Sequence, residues 1–282
     1  MLEPLIGQKV VVDLRSEYVC MGTLLGYDDH FLNLKNADRL FYKDSIYSTP
    51  FAGNMDAMLR AGCLDESGKL VTKDRYVPDN LWIEFDGSSY WKIHARNIPN
   101  HPTAKFPDTY GSQGYNPNYI QEHQPVFRLP IYPKPLDKPF ALPASGVNNG
   151  ALHMGPIGFA INGVVFFNPY DANSTDASRI MDRCCGHPSP DYQYHYHKYP
   201  ICVNTPFVDE GETHSPLIGF AFDGFPIYGP YESKGVMAKD LTENKLNGLN
   251  AHYDDDRGWH YHVTPGKFPY IIGGFIGVEG GG

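Results

Sequence analysis

The chain has no run of about 18 apolar residues, so no membrane-spanning helix and no membrane partner are expected. Met1-Leu2-Glu3-Pro4 lacks the basic start and apolar middle of a secretory signal, so nothing visible exports the chain as written. A native N-terminal segment would then imply a cytoplasmic protein. Basic residues are in deficit, 23 Lys and Arg against 32 Asp and Glu, for a formal charge of -9. That balance excludes a broad nucleic-acid surface, because displacing counterions from a phosphate backbone needs a field of Lys and Arg, and it leaves room only for a local pocket. Cysteine is scarce and odd in number: Cys20, Cys63, Cys184, Cys185 and Cys202. Only the group from Cys184 to Cys202 is spaced like a disulfide or metal arrangement. In a cytosolic setting these would be reduced thiols. In a secreted one, Cys184 or Cys185 would bridge to Cys202, with Cys63 as partner for the one left over.

Aromatic residues make up 14% of the 282 residues, and 29 Gly and 24 Pro accompany them. That mixture favours short strands joined by turns, so the fold class expected is mainly β, with little helix. Apolar alternation predicts strands at residues 9–14, 18–27 and 30–36. Residues 39–80 have weak periodicity, with one short helix predicted near 54–61, and read as a linker into a second domain over 81–278. That domain opens with a hairpin: Trp82-Ile83-Glu84-Phe85, a turn at Asp86-Gly87-Ser88-Ser89, and a return strand through Trp91-Lys92-Ile93-His94-Ala95. Residues 97–143 are punctuated by Pro and Asn and read as loop-rich.

Leu5-Ile6-Gly7-Gln8-Lys9-Val10 and the stretch from Gly22 to Leu34 resemble the first half of an Sm/LSm domain, over residues 5–36. The resemblance implies that His30, Phe31 and Asn33 would hold a single-stranded RNA base. The second half of such a pocket is not found between Arg39 and Asp86, so a partial Sm-like segment without an RNA site is the favoured expectation.

The second domain contains a duplication. His153-Met154-Gly155-Pro156-Ile157-Gly158-Phe159-Ala160-Ile161-Asn162-Gly163 aligns with His214-Ser215-Pro216-Leu217-Ile218-Gly219-Phe220-Ala221-Phe222-Asp223-Gly224 at an offset of 61 residues. Phe167-Asn168-Pro169-Tyr170-Asp171 aligns with Tyr228-Gly229-Pro230-Tyr231-Glu232 at the same offset. Each unit, about 153–197 and 214–262, then ends in a His-x-His, with His195 and His197 leading His260 and His262 by 65 residues. The Asn-Gly and Asp-Gly pairs predict turns that require positive φ. Two such units suggest a pseudo-symmetric β-sandwich or barrel with the His-x-His strands as neighbours near the local two-fold axis. A short helix is expected near 174–182.

Residues i and i+2 of a strand share a face, so His195 and His197 can offer two imidazoles to one point, as can His260 and His262. Imidazole suits Zn, Cu, Fe or Ni, and the two pairs would form either one four-nitrogen site or two two-nitrogen sites. His187 and His252 are reserve ligands; His153, His214 and Asp223 are further candidates, though turn formation and ordinary hydrogen bonding would account for both His214 and Asp223. Tyr194, Tyr196, Trp259 and Tyr261 would face the other way, into aromatic packing. Calcium is less expected, because Asp254-Asp255-Asp256 lacks the alternating spacing of an EF-hand. A zinc site through Cys184, Cys185, His187 and Cys202 has no finger spacing, and a disulfide is preferred there.

From about 81 to 277 the chain resembles a YHYH-domain protein. The resemblance rests on Asn97-Ile98-Pro99-Asn100-His101, Asn116-Pro117-Asn118, the two turn-bearing segments above, Gly186-His187, Tyr194-His195-Tyr196-His197, His260-Tyr261-His262-Val263-Thr264 and Phe268-Pro269-Tyr270. It implies an exported domain, extracellular or periplasmic, with a bridged cysteine near the first motif, but no defined activity. The resulting expectation is a transition-metal-binding protein, with copper favoured over zinc because clustered imidazoles in an exported domain suit Cu(II). An open coordination position would permit redox chemistry or Lewis-acid hydrolysis. The alternatives are a non-catalytic carbohydrate- or protein-binding module using its Tyr and Trp surface, and RNA binding through the Sm-like segment.

Overall fold

The structure is a computed structural model and describes residues 9–13, 18–27, 32–41, 80–85, 89–107, 116–142, 150–179, 181–203 and 209–280. The chain is mainly β, as its composition predicted. β1 (Lys9–Asp13), β2 (Tyr18–Tyr27) and β3 (Leu32–Phe41) form an antiparallel meander close to the three strands expected. His30 and Phe31 lie outside the described residues, as do Cys63 and the helix expected near 54–61; Asn33 falls within β3.

The hairpin read at 81–95 is present as β4 (Leu81–Phe85) and β5 (Tyr90–Ala95). β6 (Val126–Pro130) pairs with β5 and completes a three-stranded sheet. It lies inside the stretch expected to be loop. Its outward residues are exposed while Phe127 and Leu129 are buried, so its alternation is real but only five residues long.

The duplication builds one eight-stranded sheet. The first unit supplies β7 (Pro156–Ala160), β8 (Val165–Phe167), β9 (Gly186–Pro188) and β10 (Tyr194–Tyr196). The second supplies β11 (Leu217–Ala221), β12 (Pro226–Tyr228), β15 (Ala251–Asp254) and β16 (Gly258–His262), after a small hairpin of β13 (Tyr231–Ser233) and β14 (Val236–Met237). The spatial order is β15-β16-β12-β11-β7-β8-β10-β9. β7 and β11 pair antiparallel through Phe159↔Phe220, which are themselves equivalent at the 61-residue offset, so the local two-fold axis passes through that pair.

Glycine makes this central pairing possible. A Cβ on Gly158 would lie 2.4 Å from the Phe220 carbonyl oxygen, and one on the equivalent Gly219 would lie 2.1 Å from that of Phe159. Both glycines also sit at matched register shifts, Gly158 in the β7–β8 pairing and Gly219 in the β11–β12 pairing.

The β4–β6 sheet covers the middle of one face of the large sheet. Leu81, Ile93 and Phe127 share a core with Phe159, Val165, Phe220 and Phe222, and the Phe127 ring stacks 5.4 Å from that of Phe159. The opposite face buries Tyr194, Tyr196 and Tyr261 among Phe166, Ile227, Ile271 and Ile272. The arrangement is thus two packed sheets, with no closed barrel among the described strands. Among the described residues helix is confined to 3₁₀ turns, one at Ala177–Arg179 within the stretch expected to be helical.

The sheet order corrects one expectation. The His-x-His strands are not neighbours at the axis: β8, β7, β11 and β12 lie between β10 and β16. Five strand spacings of about 4.8 Å put the two pairs roughly 24 Å apart, too far for one ion to bridge.

Candidate metal centres

Each His-x-His strand meets a third histidine on the strand outside it. β9 pairs antiparallel with β10 and sets His187 opposite His195; β15 pairs with β16 and sets His252 opposite His260. His187 and His252 differ by the same 65 residues as the other pairs, so each unit carries its own three-histidine group. Parallel pairing of β10 with β8 places His195 beside Val165 and Tyr196 beside Phe166. The histidines therefore share the face covered by β4–β6, at its two uncovered ends. The tyrosines point to the other face, as the alternation predicted.

The tyrosine hydroxyls explain why these positions are not phenylalanine. Tyr196 accepts from the Asn162 amide at 2.9 Å, and Tyr261 donates to the Asp223 carboxylate at 2.6 Å. Asn162 and Asp223 are equivalent first residues of the predicted turns, completed by Gly163 at φ 79° and Gly224 at φ 88°. Each motif strand is thus tied to the turn of its own unit. Asp223 serves this framework: burial pushes its carboxyl up to about 6, opposed by hydrogen bonds from Tyr261 and the backbone. Asn97 adds a further tie that spacing did not reveal, accepting from Val165 N at 3.0 Å and donating to the Tyr194 carbonyl at 2.8 Å, so its amide bridges β8 and β10.

In the first centre, His195 Nδ1 donates to the Gln193 carbonyl at 2.9 Å and His197 Nδ1 to the Asn168 carbonyl at 2.7 Å. A carbonyl only accepts, so the hydrogen of each neutral ring is on Nδ1 and both Nε2 atoms carry lone pairs. Those two Nε2 atoms stand 3.0 Å apart. His187 Nε2 lies 3.1 Å from His197 Nε2, while its Nδ1 faces the Asn116 amide at 3.3 Å. The Asn116 orientation follows from its oxygen accepting Asn118 N and its nitrogen donating to the Pro188 carbonyl. A hydrogen on His187 Nε2 can serve one contact of His197, which leaves the His195–His197 contact without a donor. Burial holds His195 well below the ordinary imidazole range, His197 down at about 3 and His187 at about 4, so protonation does not supply one near neutral pH.

The second centre is fuller. His252 Nδ1 donates to Asn244 O at 2.8 Å, His260 Nδ1 to Gly258 O at 2.8 Å and His262 Nδ1 to Gly229 O at 2.6 Å. His214 Nδ1 donates to Ser215 O at 2.8 Å. All four Nε2 atoms are thereby left as lone pairs. His252 Nε2 lies 2.9 Å from His260 Nε2. Glu232 brings Oε2 to 3.2 Å from His262 Nε2, 3.4 Å from His252 Nε2 and 3.8 Å from His214 Nε2. His214 Nε2, His262 Nε2 and Glu232 Oε2 are buried with no hydrogen-bond partner. Burial lowers His260 to about 3 and His214 to about 4.

Three groups of ligand-type atoms each converge within 4.8 Å among the described residues: His187, His195 and His197; His214, Glu232, His260 and His262; and His101 with Cys184 and Cys202, whose sulfurs are joined in a disulfide. His252 joins the second through His260 and Glu232. Glu232 was not among the ligands expected from sequence, although its alignment with Asp171 carried the signal. His153, equivalent to His214, turns away and pairs with Glu279 at 2.7 Å.

The cysteines settle into a different role. Cys184 and Cys202 form a disulfide, which removes their sulfurs from any zinc site with Cys185 and His187. Cys185 is a free, half-buried thiol. Asp254 accepts from Asp256 N, Arg257 N and the Arg257 guanidinium, so the acidic run is organised as a turn.

The family model described as "YHYH protein" matches residues 139–245, which supports the resemblance over the first unit and the start of the second. Among curated proteins and among solved structures, nothing matches.

Proposed function

We propose that the chain binds transition-metal ions at two separate, pseudo-symmetric sites. One is held by His187, His195 and His197, the other by His252, His260 and His262 with Glu232 and His214. The observation that carries this reading is the second centre. Three imidazoles, those of His214, His260 and His262, have their hydrogens committed to backbone carbonyls and bring their lone pairs together with the Glu232 oxygen within 4.8 Å, while His252 adds its own lone pair beside His260 and Glu232. Burying such atoms unpaired costs about 1–3 kcal/mol each, and a cation removes that cost. A carbonyl on the far nitrogen of a ligating histidine is also the usual support for a metal site, fixing tautomer and ring orientation.

Imidazole-rich sets suit Cu, Zn, Ni and Fe, and Cu(II) stands highest in the divalent affinity order, so copper is placed ahead of zinc. Calcium, which needs six to eight oxygens, is poorly served by one carboxylate. The Cys184–Cys202 disulfide supports an oxidising compartment and hence an exported protein.

The test uses untagged full-length chain, stripped of metal and equilibrated with Cu(II) or Zn(II), with bound metal counted by mass spectrometry. Two equivalents are expected, falling to one in His195→Ala/His197→Ala and to one in His260→Ala/His262→Ala. Less than about one-tenth equivalent, unchanged in either variant, defeats the proposal.

A further inference from the structure

The two centres descend from one repeat but differ in what closes them. In the second, His214 and Glu232 converge with the strand histidines His260 and His262, and Glu232 also reaches His252 at 3.4 Å. Their equivalents in the first unit, His153 and Asp171, are engaged elsewhere. His153 bonds Glu279 Oε1 at 2.7 Å. Asp171 accepts from Asn173 N, Thr175 N and Thr175 Oγ1, which closes its own turn.

A cavity of about 440 Å³ opens where those two donors would have been, with all three histidines of the first centre in its wall. Its volume falls within the range of about 300–1,000 Å³ typical of small-molecule sites. Phe167, stacked 3.8 Å from the His195 ring, forms an apolar side, and Asn116 presents an amide. Among the described residues no Lys or Arg lines the cavity, and the one carboxylate in its wall is that of Asp171.

Resting on the metal reading above, we infer that the first centre is an open site: its ion keeps a coordination position for a small ligand that offers a nitrogen or oxygen lone pair from the cavity. The second centre, with four converging protein donors and His252 beside them, is closed and holds its ion without exchange of ligands. An open position beside three protein ligands is the arrangement that distinguishes reactive metal sites from structural ones.

The experiment uses Cu(II)-loaded full-length chain freed of excess ion and titrated with imidazole, and separately with azide, followed by visible absorption and electron paramagnetic resonance. In His260→Ala/His262→Ala, which retains the first centre, imidazole and azide each produce a saturable spectral shift. In His195→Ala/His197→Ala, which retains the second, neither probe changes the spectrum. Filling the cavity by Ala172→Trp in the otherwise wild-type chain keeps both ions and weakens the imidazole response about tenfold or more. This arm stays informative if a double variant fails to fold. A first centre that holds its ion yet ignores imidazole overturns the inference, as does an equal response from the second centre or no effect of Ala172→Trp. Loss of bound ion from all three proteins fails the metal reading itself, and this inference with it.

Discussion

His252 and His260 face each other across the β15–β16 pair with their Nε2 atoms 2.9 Å apart and no hydrogen between them. Each ring has given its hydrogen to a carbonyl on its far side, Asn244 O for one and Gly258 O for the other. The contact repels in the metal-free protein and becomes ordinary ligand spacing around an ion. Four consequences follow from this arrangement and the frame that holds it.

The first concerns pH. His187, His197 and His260 are lowered by burial to about 4, 3 and 3, from an ordinary value of 6.5. Between those limits the unfolded chain binds protons that the folded one refuses. Their contribution to stability is therefore complete above pH 6.5 and is lost as pH falls toward 4, at up to about 1.4 kcal/mol per pH unit for each ring. Asp223 runs the other way: raised to about 6 from 3.8, its contribution is complete below 3.8 and lost as pH rises through 6. Three rings outweigh one carboxyl, so the urea midpoint of metal-free protein should fall from pH 7 to pH 5. A midpoint that rises over this interval contradicts the assignment.

The matched tyrosines should not be equal. Tyr261→Phe removes a donor from a fully buried carboxylate and an acceptor from Ile276 N, at a cost of about 1.5–3 kcal/mol. Tyr196→Phe removes neutral contacts with Asn162 and His101, at about 1 kcal/mol. Chemical denaturation of both variants measures the order, and the reverse order would show that Asp223 does not depend on its phenol.

Gly158→Ala and Gly219→Ala should each prevent recovery of folded protein or lower stability by more than about 3 kcal/mol, because the added carbon meets backbone rather than a side chain that could yield. Gly235→Ala is a useful contrast: its φ of 69° is strained, but no atom lies within 4 Å of the added carbon. Its cost should stay near 1 kcal/mol. Thermal denaturation separates the two classes.

Removing the disulfide with Cys184→Ser/Cys202→Ser opens a loop of sequence separation 18, at a cost of about 3 kcal/mol. Its segment contains His187, His195 and His197 and none of the second centre. Metal affinity should therefore weaken at the first centre and hold at the second, read by competition titration in each double-alanine background.

Much of this was legible in the chain. Two offsets, 61 and 65, identified equivalent turns and equivalent histidines, and period-two alternation separated the histidine face from the tyrosine face. His187 and His252 were expected only as reserve ligands, although the same 65-residue offset relates them, and Glu232 was not expected, although the 61-residue offset aligns it with Asp171. What spacing could not reveal was which strands pair across the axis. Gly158 and Gly219 decide it by letting β7 and β11 approach, and this drives the histidine strands outward instead of together. The separation into two centres is thus a long-range property of sheet order. The engagement of His153 by Glu279, 126 residues away, is another.

The most direct test is a crystal of the full chain loaded with Cu(II), with data collected at the metal absorption edge. The account predicts two anomalous peaks per chain, roughly 24 Å apart, each about 2.0–2.1 Å from Nε2 atoms: those of His187, His195 and His197 at one, and those of His252, His260 and His262 at the other. A single peak, peaks at surface residues, or empty clusters in a loaded crystal would contradict it.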